Sequence, residues 1–531
     1  MQLRYPFRAG SRPALALVAV AAAAAMVGWG SGSNASGAAT GGTAAAGGDI
    51  LRIPYLGDMS VPDPDIFYDI EGNNVILSTY EGLVTYAPGT SHIVGDLATS
   101  WSESPNRLTY TFKLRPGVHF HDGSALTAKA VVASFKRRLA VNQAPAYMLK
   151  PVASMLTPNR LTLVIKLKHP VYPFLDYLAS SWGPKVIGPA ALVTHAGTDH
   201  GETYLRTHDD GTGPFELTQF ARGRQYVLTR YPGYWGPKPF FKEVLISIMP
   251  DIGTQQLELQ NGGIDAILHS FPAADLGSLP SNVKVDEFPS YLRLLLYVNT
   301  HKAPFDNPAV RASLRSAINI QQLVSEAYSG TGTPSTGAYP PGLLPDQPAL
   351  PYAANHAKAA AGAKLASTKD ITLGFTADES GVQRRVGELL QAALSAAGWH
   401  VGVKEVQLPQ VYNYVNNLKA APDLLLQTNT PDAANPDTWA RIVFYSSGGL
   451  NFFGFKDPKV DHLLDTAVSA PPATATNLYK QVGDEVIKQN EIFFLGDIKN
   501  VFVLNKDLTG VEQVPAYPWT VNLADLKRTG G

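Results

Sequence analysis

Two histidines and a neighbouring aspartate form the most metal-like cluster in the chain. His119, His121 and Asp122 have a spacing that would place both imidazoles on one face of a strand, as a zinc site requires. Asp122 and Gly123 are also typical of a turn that the histidines merely flank, and no third ligand follows nearby in the sequence. The turn is the simpler interpretation, so we expect neither a metal site nor a cofactor.

Acidic pairs are the second set of residues that could carry chemistry. Asp63 with Asp65, or Asp432 with Asp437, could act as the two carboxylates of a glycosidase. Each pair also lies beside a proline, where aspartates commonly form turns. The chain after the first 48 residues has no GxSxG, HExxH, Walker A or Rossmann glycine motif. We therefore expect a protein that is not an enzyme, with a secreted hydrolase as an alternative.

The composition is that of a large folded protein with balanced charge. The 531 residues predict more than one domain, and 45% hydrophobic residues can supply a large core. Lys and Arg total 43 against 44 Asp and Glu, without the basic excess of a dedicated nucleic-acid binder. Cysteine is absent, which excludes disulfides, thiolate metal ligands and cysteine nucleophiles.

The amino terminus has the features of an export signal followed by a tether. Three arginines precede an apolar run from Ala14 to Val27, which is too short to span a bilayer comfortably, although a membrane anchor is the alternative. We assign residues 1–28 to a signal peptide and 29–48 to a flexible Gly/Ala/Ser tether. The junction resembles a bacterial lipobox in which Trp29 replaces the acylated cysteine, so no lipid attachment is expected. The mature protein should lie in the periplasm or at the outer face of the cell membrane.

Strand and helix patterns alternate along the first half of the mature chain. Alternating apolar and polar residues predict strands at 107–114 and 161–168, and Thr127 can cap a helix between them. Shorter patterns predict further strands at 51–55, 225–230 and 244–249. Interleaved elements of this kind indicate an α/β protein.

Helix and strand also succeed one another in the second half. Asn307–Pro308, a cap followed by proline, predicts a helix that runs towards Gly330. An apolar face over 382–397 predicts another helix, with a strand at 401–406 after it. The proline-rich stretch 339–351 is predicted to be a long surface loop.

A series of short motifs runs through almost the whole mature chain in a fixed order. The motifs are Tyr80-Glu-Gly-Leu-Val84, Leu97-Ala-Thr-Ser-Trp101, Leu108-Thr-Tyr-Thr-Phe-Lys-Leu-Arg-Pro-Gly-Val118, Phe120-His-Asp-Gly123, Leu126-Thr-Ala128, Gly211-Thr-Gly-Pro-Phe215, Tyr234-Trp-Gly236, Leu259-Gln-Asn-Gly-Gly-Ile-Asp265, Pro304-Phe-Asp-Asn-Pro-Ala-Val-Arg311, Asn435-Pro-Asp437 and Asp457-Pro-Lys-Val-Asp461. In this order they resemble the extracytoplasmic solute-binding proteins of ABC importers, family 5. That family includes receptors for dipeptides, oligopeptides and nickel.

The resemblance implies a fold and a division into lobes. The expected fold is the α/β, two-lobed periplasmic-binding-protein-like fold of type II, in the large cluster with an extra inserted domain and a ligand cleft between the lobes. Lobe I would comprise 49–86, 211–294 and a return at 499–531, with domain II inserted at 87–210 and lobe III at 295–498.

The resemblance also implies a set of ligand-binding residues. In the peptide receptors a carboxylate anchors the terminal ammonium of the ligand, and the pattern Asp-x-x-Asn-Pro places that anchor on Asp432. A turn-capping aspartate is the alternative. Tyr68, Tyr291, Trp439 and Phe452 lie near the family's ligand loops and are predicted to line the cleft.

The sequence departs from the family pattern at two positions. Asn429 stands where many relatives have a tryptophan, and Ala377 stands near the place of an arginine that binds the carboxylate of a dipeptide. Arg293 could replace that arginine, although an ordinary surface arginine is the alternative. We therefore favour oligopeptides over strict dipeptides.

The implied function is that of an extracytoplasmic receptor. The protein would bind a peptide by hinge closure and deliver it unchanged to a membrane permease and its associated ATPases. An oligosaccharide or chelated nickel are alternative solutes. We expect a monomer that does not bind nucleic acid.

Overall fold

The computed structural model describes residues 48–377 and 381–529. The predicted signal peptide, Trp29 and all but the last residue of the predicted tether lie outside the described residues. Among the helices of these two ranges, none combines the length and the apolar character needed to cross a lipid bilayer.

The strands are numbered in chain order. Within the described ranges they are β1 Ile50–Tyr55, β2 Val84–Tyr86, β3 Ile93–Gly95, β4 Ala98–Glu103, β5 Thr109–Leu114, β6 Val152–Asn159, β7 Thr162–Leu167, β8 Phe215–Ala221, β9 Gln225–Arg230, β10 Glu243–Ile248, β11 Ala266–Ile267, β12 Val283–Phe288, β13 Arg293–Val298, β14 Gly332–Pro334, β15 Asp370–Thr376, β16 His400–Val406, β17 Leu424–Asn429, β18 Ile492–Ile498, β19 Asn500–Asn505, β20 Leu508–Thr509 and β21 Lys527–Arg528.

The α-helices are numbered in the same way. Within the described ranges they are α1 Asn73–Thr79, α2 Ala128–Val141, α3 Phe174–Ala179, α4 Glu202–Leu205, α5 Ile252–Asn261, α6 Pro308–Ala317, α7 Ile320–Tyr328, α8 His356–Leu365, α9 Val382–Ala396, α10 Leu408–Asn413, α11 Pro436–Val443, α12 Pro458–Ala467 and α13 Pro472–Gln489.

Each larger sheet draws its strands from a different part of the chain. One sheet has the order β1-β10-β9-β8, and a second has the order β11-β19-β12, so that β19 from the carboxyl terminus lies between two earlier strands. Residues 98–167, which we call the inserted part, form the antiparallel sheet β4-β5-β7-β6. Residues 293–498, which we call the third part, contribute the mixed sheet β14-β18-β13-β17-β15-β16. The exact lobe boundaries remain a prediction.

The mixed sheet provides the edge at which the candidate site lies. β15 runs parallel to β17, so their carboxyl ends meet at the same edge. β13 runs antiparallel to β17 and begins at that edge, where Arg293 lies opposite Asn429. In α/β sheets, ligands bind outside the carboxyl ends of parallel strands.

One hydrophobic cluster joins the antiparallel sheet to the helices of the mixed sheet. Its buried members include Phe112 and Phe135 from the inserted part and Trp439, Phe444 and Phe494 from the third part. Removal of these large side chains from water is the main stabilising contribution to packing of this kind. The inserted part is therefore firmly packed against the region that follows β17.

Local sequence signals correctly predict many elements. Tyr110, Phe112 and Leu114 are buried along β5, as the alternation predicts. The hydroxyl of Thr127 accepts a hydrogen bond from the backbone N–H of Ala130 at 3.1 Å and caps α2. Predictions based on alternation and capping are confirmed here because both signals act within a few residues.

The predicted helix from Pro308 to Gly330 is wrong, because two helices occupy this stretch. α6 ends at Ala317, and the side chain of Asn319 accepts from the N–H of Gln322 at 3.2 Å to start α7. An asparagine that caps a new helix competes with continuation of the first one.

The predicted surface loop 339–351 is irregular, but much of it is buried. Tyr339 is fully buried and donates its hydroxyl to the carbonyl oxygen of Tyr479 at 2.9 Å. Leu343 and Leu344 are also buried in the shared hydrophobic cluster. The prolines that predict irregular backbone carry no information about burial, so the surface location is wrong for these three residues but correct for 341–342 and 345–346, which are exposed.

Candidate functional site

Asp432 lies in the loop that leaves the carboxyl end of β17. Its side chain is buried, with 3% of the residue exposed. The hydroxyl of Tyr68 donates to Oδ1 at 2.6 Å and the hydroxyl of Tyr147 donates to Oδ2 at 2.6 Å. No Lys, Arg or His of the described ranges forms an ion pair with this carboxylate. Burial raises the pKa of Asp432 above its usual range, and the two tyrosine hydrogen bonds oppose that rise.

The two tyrosines come from distant parts of the chain and are held by other aromatic rings. Tyr68 packs edge-on against Trp182 with ring centroids 5.6 Å apart, and Tyr147 packs edge-on against Tyr177 at 5.6 Å. Tyr68 is 42% exposed, whereas burial raises the pKa of Tyr147 well above its usual value. Tyr68 therefore lies at the solvent side of the carboxylate and Tyr147 at the inner side.

The loop that carries Asp432 is fixed by residues from the earlier parts of the chain. The hydroxyl of Ser180 donates to the carbonyl oxygen of Asp432. The N–H of Ala434 donates to the hydroxyl of Tyr86 at 2.9 Å, and the side-chain amide of Asn435 donates to Asp176 Oδ2 at 3.0 Å. These contacts position the carboxylate of Asp432 independently of the tyrosines that bind it.

An aromatic group lies beside the loop at the same sheet edge. The side-chain amide of Asn429 donates to the hydroxyl of Tyr297 at 2.9 Å. Phe452 packs between Tyr297 and Tyr412, with centroid distances of 5.2 Å and 5.7 Å. Tyr412 is 46% exposed, so the group presents one tyrosine to solvent and buries Phe452 behind it.

Arg293 is buried, and the alternative of a surface arginine is wrong. Its Nε donates to Asp497 Oδ1 at 2.6 Å and its Nη1 donates to the carbonyl oxygen of Gly337 at 2.8 Å. Its Nη2 is buried without a hydrogen-bond partner among the described residues. Asp497 thus neutralises the guanidinium and leaves one donor nitrogen for another acceptor.

The predicted site residues divide into those that meet Asp432 and those that bond elsewhere. Tyr68 contacts the carboxylate directly. Trp439 is fully buried and donates its indole N–H to the carbonyl oxygen of Ala338 at 2.9 Å. The hydroxyl of Tyr291 shares a hydrogen bond with Ser91 at 2.7 Å. Contact of Trp439, Tyr291 and Phe452 with a ligand remains a prediction.

Tyr147 belongs to the candidate site, and sequence analysis misses it. It lies 285 positions before Asp432 in the chain, so no local motif connects them. The short apolar segment that contains it, Ala146–Leu149, has the pattern of ordinary core residues. Only the packing of the inserted part against the third part brings its hydroxyl to the anchor.

The histidine cluster forms internal contacts. His121 pairs through Nδ1 with Asp209, and its Nε2 lies 3.0 Å from the carbonyl oxygen of Gly213. His119 is exposed. Within residues 48–377 and 381–529, no group of three or more His, Cys, Asp or Glu side chains is arranged to hold a metal ion.

The two acidic pairs have different surroundings. Arg137 pairs with Asp63 at 2.6 Å and with Asp65 at 2.8 Å, and both carboxylates are buried. Asp437 is buried and pairs with Arg441 at 3.1 Å. Three of the four carboxylates are therefore neutralised by arginine, and only Asp432 lacks such a partner among the described residues.

Comparison with known proteins identifies relatives that span nearly the whole chain. The model of the bacterial extracellular solute-binding proteins, family 5 Middle, matches residues 92–451. A protein of Escherichia coli (strain K12) named "Probable D,D-dipeptide-binding periplasmic protein DdpA" is 29% identical over 499 residues, which cover 91% of this chain and 95% of that protein.

Solved structures share the fold. The ABC transporter-associated periplasmic binding protein DppA from Helicobacter pylori, in complex with the peptide STSA, superposes with a TM-score of 0.77 at 22% identity, over 90% of this chain and 98% of that chain. The oligopeptide-binding protein AppA from Bacillus subtilis, in complex with a nonapeptide, gives a TM-score of 0.78 at 20% identity, over 90% of this chain and 99% of that chain. These likenesses confirm the predicted two-lobed fold.

Proposed function

The chain belongs to the bacterial extracellular solute-binding proteins, family 5, and we propose that it binds peptides with a free amino terminus, anchored by Asp432. The observation that carries this proposal is a buried carboxylate with two hydroxyl donors and no cation among the described residues. A buried charge is unfavourable unless an opposite charge compensates it. The ammonium group of a peptide supplies that charge and forms charge-assisted hydrogen bonds with the same oxygens.

The position of the anchor suits an extended ligand. Asp432 follows β17 at the edge where the carboxyl ends of β15 and β17 meet. A peptide that starts at Asp432 can extend along this edge and pair through its backbone, which gives affinity without selecting particular side chains. The exposed rings of Tyr68 and Tyr412 offer apolar surface to those side chains.

For the carboxyl end of the ligand, this protein lacks the arginine that the dipeptide receptors provide. Ala377 follows β15, and its neighbour Thr376 accepts a hydrogen bond from the side-chain amide of Gln427 at 3.2 Å. Thr376 and Gln427 are polar and uncharged, and Ala377 supplies no cation for a ligand carboxylate. The Nη2 of Arg293, which has no partner among the described residues, is our candidate donor to an acceptor group of the ligand at this edge. We therefore infer oligopeptides, in keeping with the tetrapeptide and nonapeptide bound by the two structural neighbours.

The proposed mechanism is capture, closure and delivery. The ligand binds between lobes I and III, the hinge closes, and the ABC permease with its ATPases receives the peptide unchanged. The receptor works outside the cytoplasm as a monomer. Tyr291, Trp439 and Phe452 form the walls of the closed cleft in this proposal.

Replacement of the anchor tests the proposal directly. Native mass spectrometry of the purified protein first identifies the peptides that it carries. The Asp432→Ala variant should then bind those peptides at least about 30-fold more weakly, because loss of a buried charge pair removes about 2 kcal/mol or more. The N-acetylated forms should bind the variant and the parent alike.

An exposed aspartate provides the matched control. Asp370 is exposed, and Asp370→Ala should leave the affinity for free-amine peptides unchanged. Equal losses for free-amine and N-acetylated peptides would remove the anchor role of Asp432. Cleavage of the bound peptide during incubation would contradict a receptor that delivers its ligand intact.

A further inference from the structure

Asp176 connects two separate parts of the chain to the loop that carries the anchor. Its Oδ1 accepts from the hydroxyl of Tyr86 at 3.0 Å, and its Oδ2 accepts from the side-chain amide of Asn435 at 3.0 Å. The hydroxyl of Tyr86 in turn accepts from the N–H of Ala434 at 2.9 Å. One carboxylate from α3 therefore holds two consecutive residues that follow Asp432.

The direction of each hydrogen bond is fixed by a second contact. The side-chain oxygen of Asn435 accepts from the N–H of Asp437 at 3.0 Å and caps α11. Its amide nitrogen must therefore face Asp176 as a donor. The hydroxyl oxygen of Tyr86 accepts a hydrogen bond from the N–H of Ala434, and its own proton is directed at Asp176. The carboxylate is thus the acceptor that both groups require.

The charge of Asp176 has no local counterpart. No Lys, Arg or His of the described ranges forms an ion pair with it. Removal from water raises the pKa of Asp176 to about 7, while Asn435 and Tyr86 oppose this rise. An ionised Asp176 would be better hydrated if the loop moved away, so the contact between α3 and the Asp432 loop depends on these two hydrogen bonds.

We infer that Asp176 is a positioning residue that latches the Asp432 loop to α3 and β2 and so shifts the balance between open and closed lobes towards the closed form, with or without ligand. This inference rests on the proposed closure of lobe III over the rest of the molecule. Asp176 does not contact Asp432 itself. The latch therefore sets the proportion of closed molecules for every ligand, whereas Asp432 selects ligands with an amine.

An exchange of donor and acceptor tests the latch. Asp176→Asn places an amide nitrogen opposite the amide nitrogen of Asn435, and Asn435→Asp places two carboxylates opposite each other. The double variant restores one donor and one acceptor in reversed order, and aspartate at position 435 still caps α11. Each single variant loses a charge-assisted hydrogen bond, which should raise the open-to-closed ratio about tenfold or more.

The absence of cysteine makes the measurement simple. Spin labels on cysteines introduced at the exposed positions Gln260 in α5 and Ala392 in α9 report the distance between lobes by double electron–electron resonance. In the ligand-free protein, both single variants should shift the distribution to longer distances, and the double variant should return it towards the parent. Circular dichroism verifies that all four proteins are folded.

Two outcomes overturn the latch. The inference fails if the single variants keep the distance distribution of the parent, or if the double variant is no closer to the parent than the single variants are. The measurement contains no ligand, so failure of Asp432 as an amine anchor would leave it unaffected. Conversely, an unchanged distance distribution would leave the anchor test intact.

Discussion

Two groups of buried aspartates in this protein differ in what compensates their charge. Asp63 and Asp65 face Arg137 and Arg138, with nitrogen–oxygen distances of 2.6–3.2 Å. Asp432 is equally removed from water but is bound only by tyrosine hydroxyls among the described residues. The first group has balanced charges and stabilises the fold, whereas in our proposal the charge of Asp432 is balanced by the ammonium group of the ligand.

The balanced group also shapes the surroundings of the unbalanced one. Asp63 and Asp65 precede Tyr68 in the same segment, and Arg138 donates to the carbonyl oxygen of Trp182, whose ring packs against Tyr68. Charge compensation thus differs between these aspartates although residue type, burial and a nearby proline do not.

We expect the largest effect when the ion pairs of Asp63 and Asp65 are broken. Arg137→Met leaves two buried carboxylates with one arginine, and we expect the free energy of unfolding to fall by about 3–5 kcal/mol. Denaturant unfolding measures this change. Arg384 forms an exposed pair with Glu405, so Arg384→Met should lower the free energy of unfolding by about 1 kcal/mol or less. Equal losses in the two variants would remove the distinction between buried and exposed pairs.

The next largest effect distinguishes the contribution of Asp432 to stability from its contribution to binding. The fold raises the pKa of Asp432, so at neutral pH its ionised form opposes folding. Asp432→Asn should therefore keep or raise the melting temperature while it weakens peptide binding about 30-fold or more. Asp437→Asn, which disturbs the pair with Arg441, should lower the melting temperature. A lower melting temperature for Asp432→Asn would identify Asp432 as a structural residue.

A smaller effect concerns the two tyrosines that bind the anchor. Tyr147→Phe removes a buried donor to a charged group and should weaken peptide binding about tenfold. Tyr68→Phe should have a smaller effect, because water can reach this exposed position and replace the hydroxyl. Isothermal titration with each variant provides the comparison, and Tyr110→Phe, at a hydroxyl that faces Glu103, is the matched control. A larger loss for Tyr68→Phe would reverse the assignment of inner and outer donors.

The mildest effect is a pH dependence of binding. A raised pKa means that Asp432 takes up a proton at a higher pH than an exposed aspartate does. Protonated Asp432 cannot pair with an ammonium group, so the affinity for free-amine peptides should fall as the pH is lowered from neutral. The Asp432 carboxyl opposes folding only in its ionised form. Protonation at low pH should therefore remove its unfavourable contribution to the free energy of folding. Titrations at several pH values should show a flat profile for Asp432→Asn, and an equal slope in the variant would contradict the assignment.

Much of the fold can be predicted from the sequence because its signals are local. β5, β7 and the start of α2 follow from alternation and from a cap at Thr127. The break between α6 and α7 depends on whether Asn319 lies inside a helix or caps a new one. Packing against neighbouring residues determines which of the two forms. The burial of Tyr339 likewise depends on residues more than a hundred positions away.

The site was only partly predictable for the same reason. Asp432 follows from the family motif, and Tyr68 was predicted to lie in the cleft. The hydroxyl of Tyr147, the carboxylate of Asp176 and the ion pair between Arg293 and Asp497 depend on contacts between distant segments. Such contacts leave no trace in spacing or composition, so only the packed molecule reveals them.

The location of β19 between β11 and β12 ties the first lobe to the end of the chain. Near that end, the N–H of Val521 donates to Asn74 at 2.9 Å and Arg528 pairs with Asp265 at 2.6 Å. The amino-terminal half therefore cannot complete its tertiary structure while the final residues are still being synthesised. The first lobe thus acquires the central strand of its second sheet only after nearly the whole chain has been synthesised.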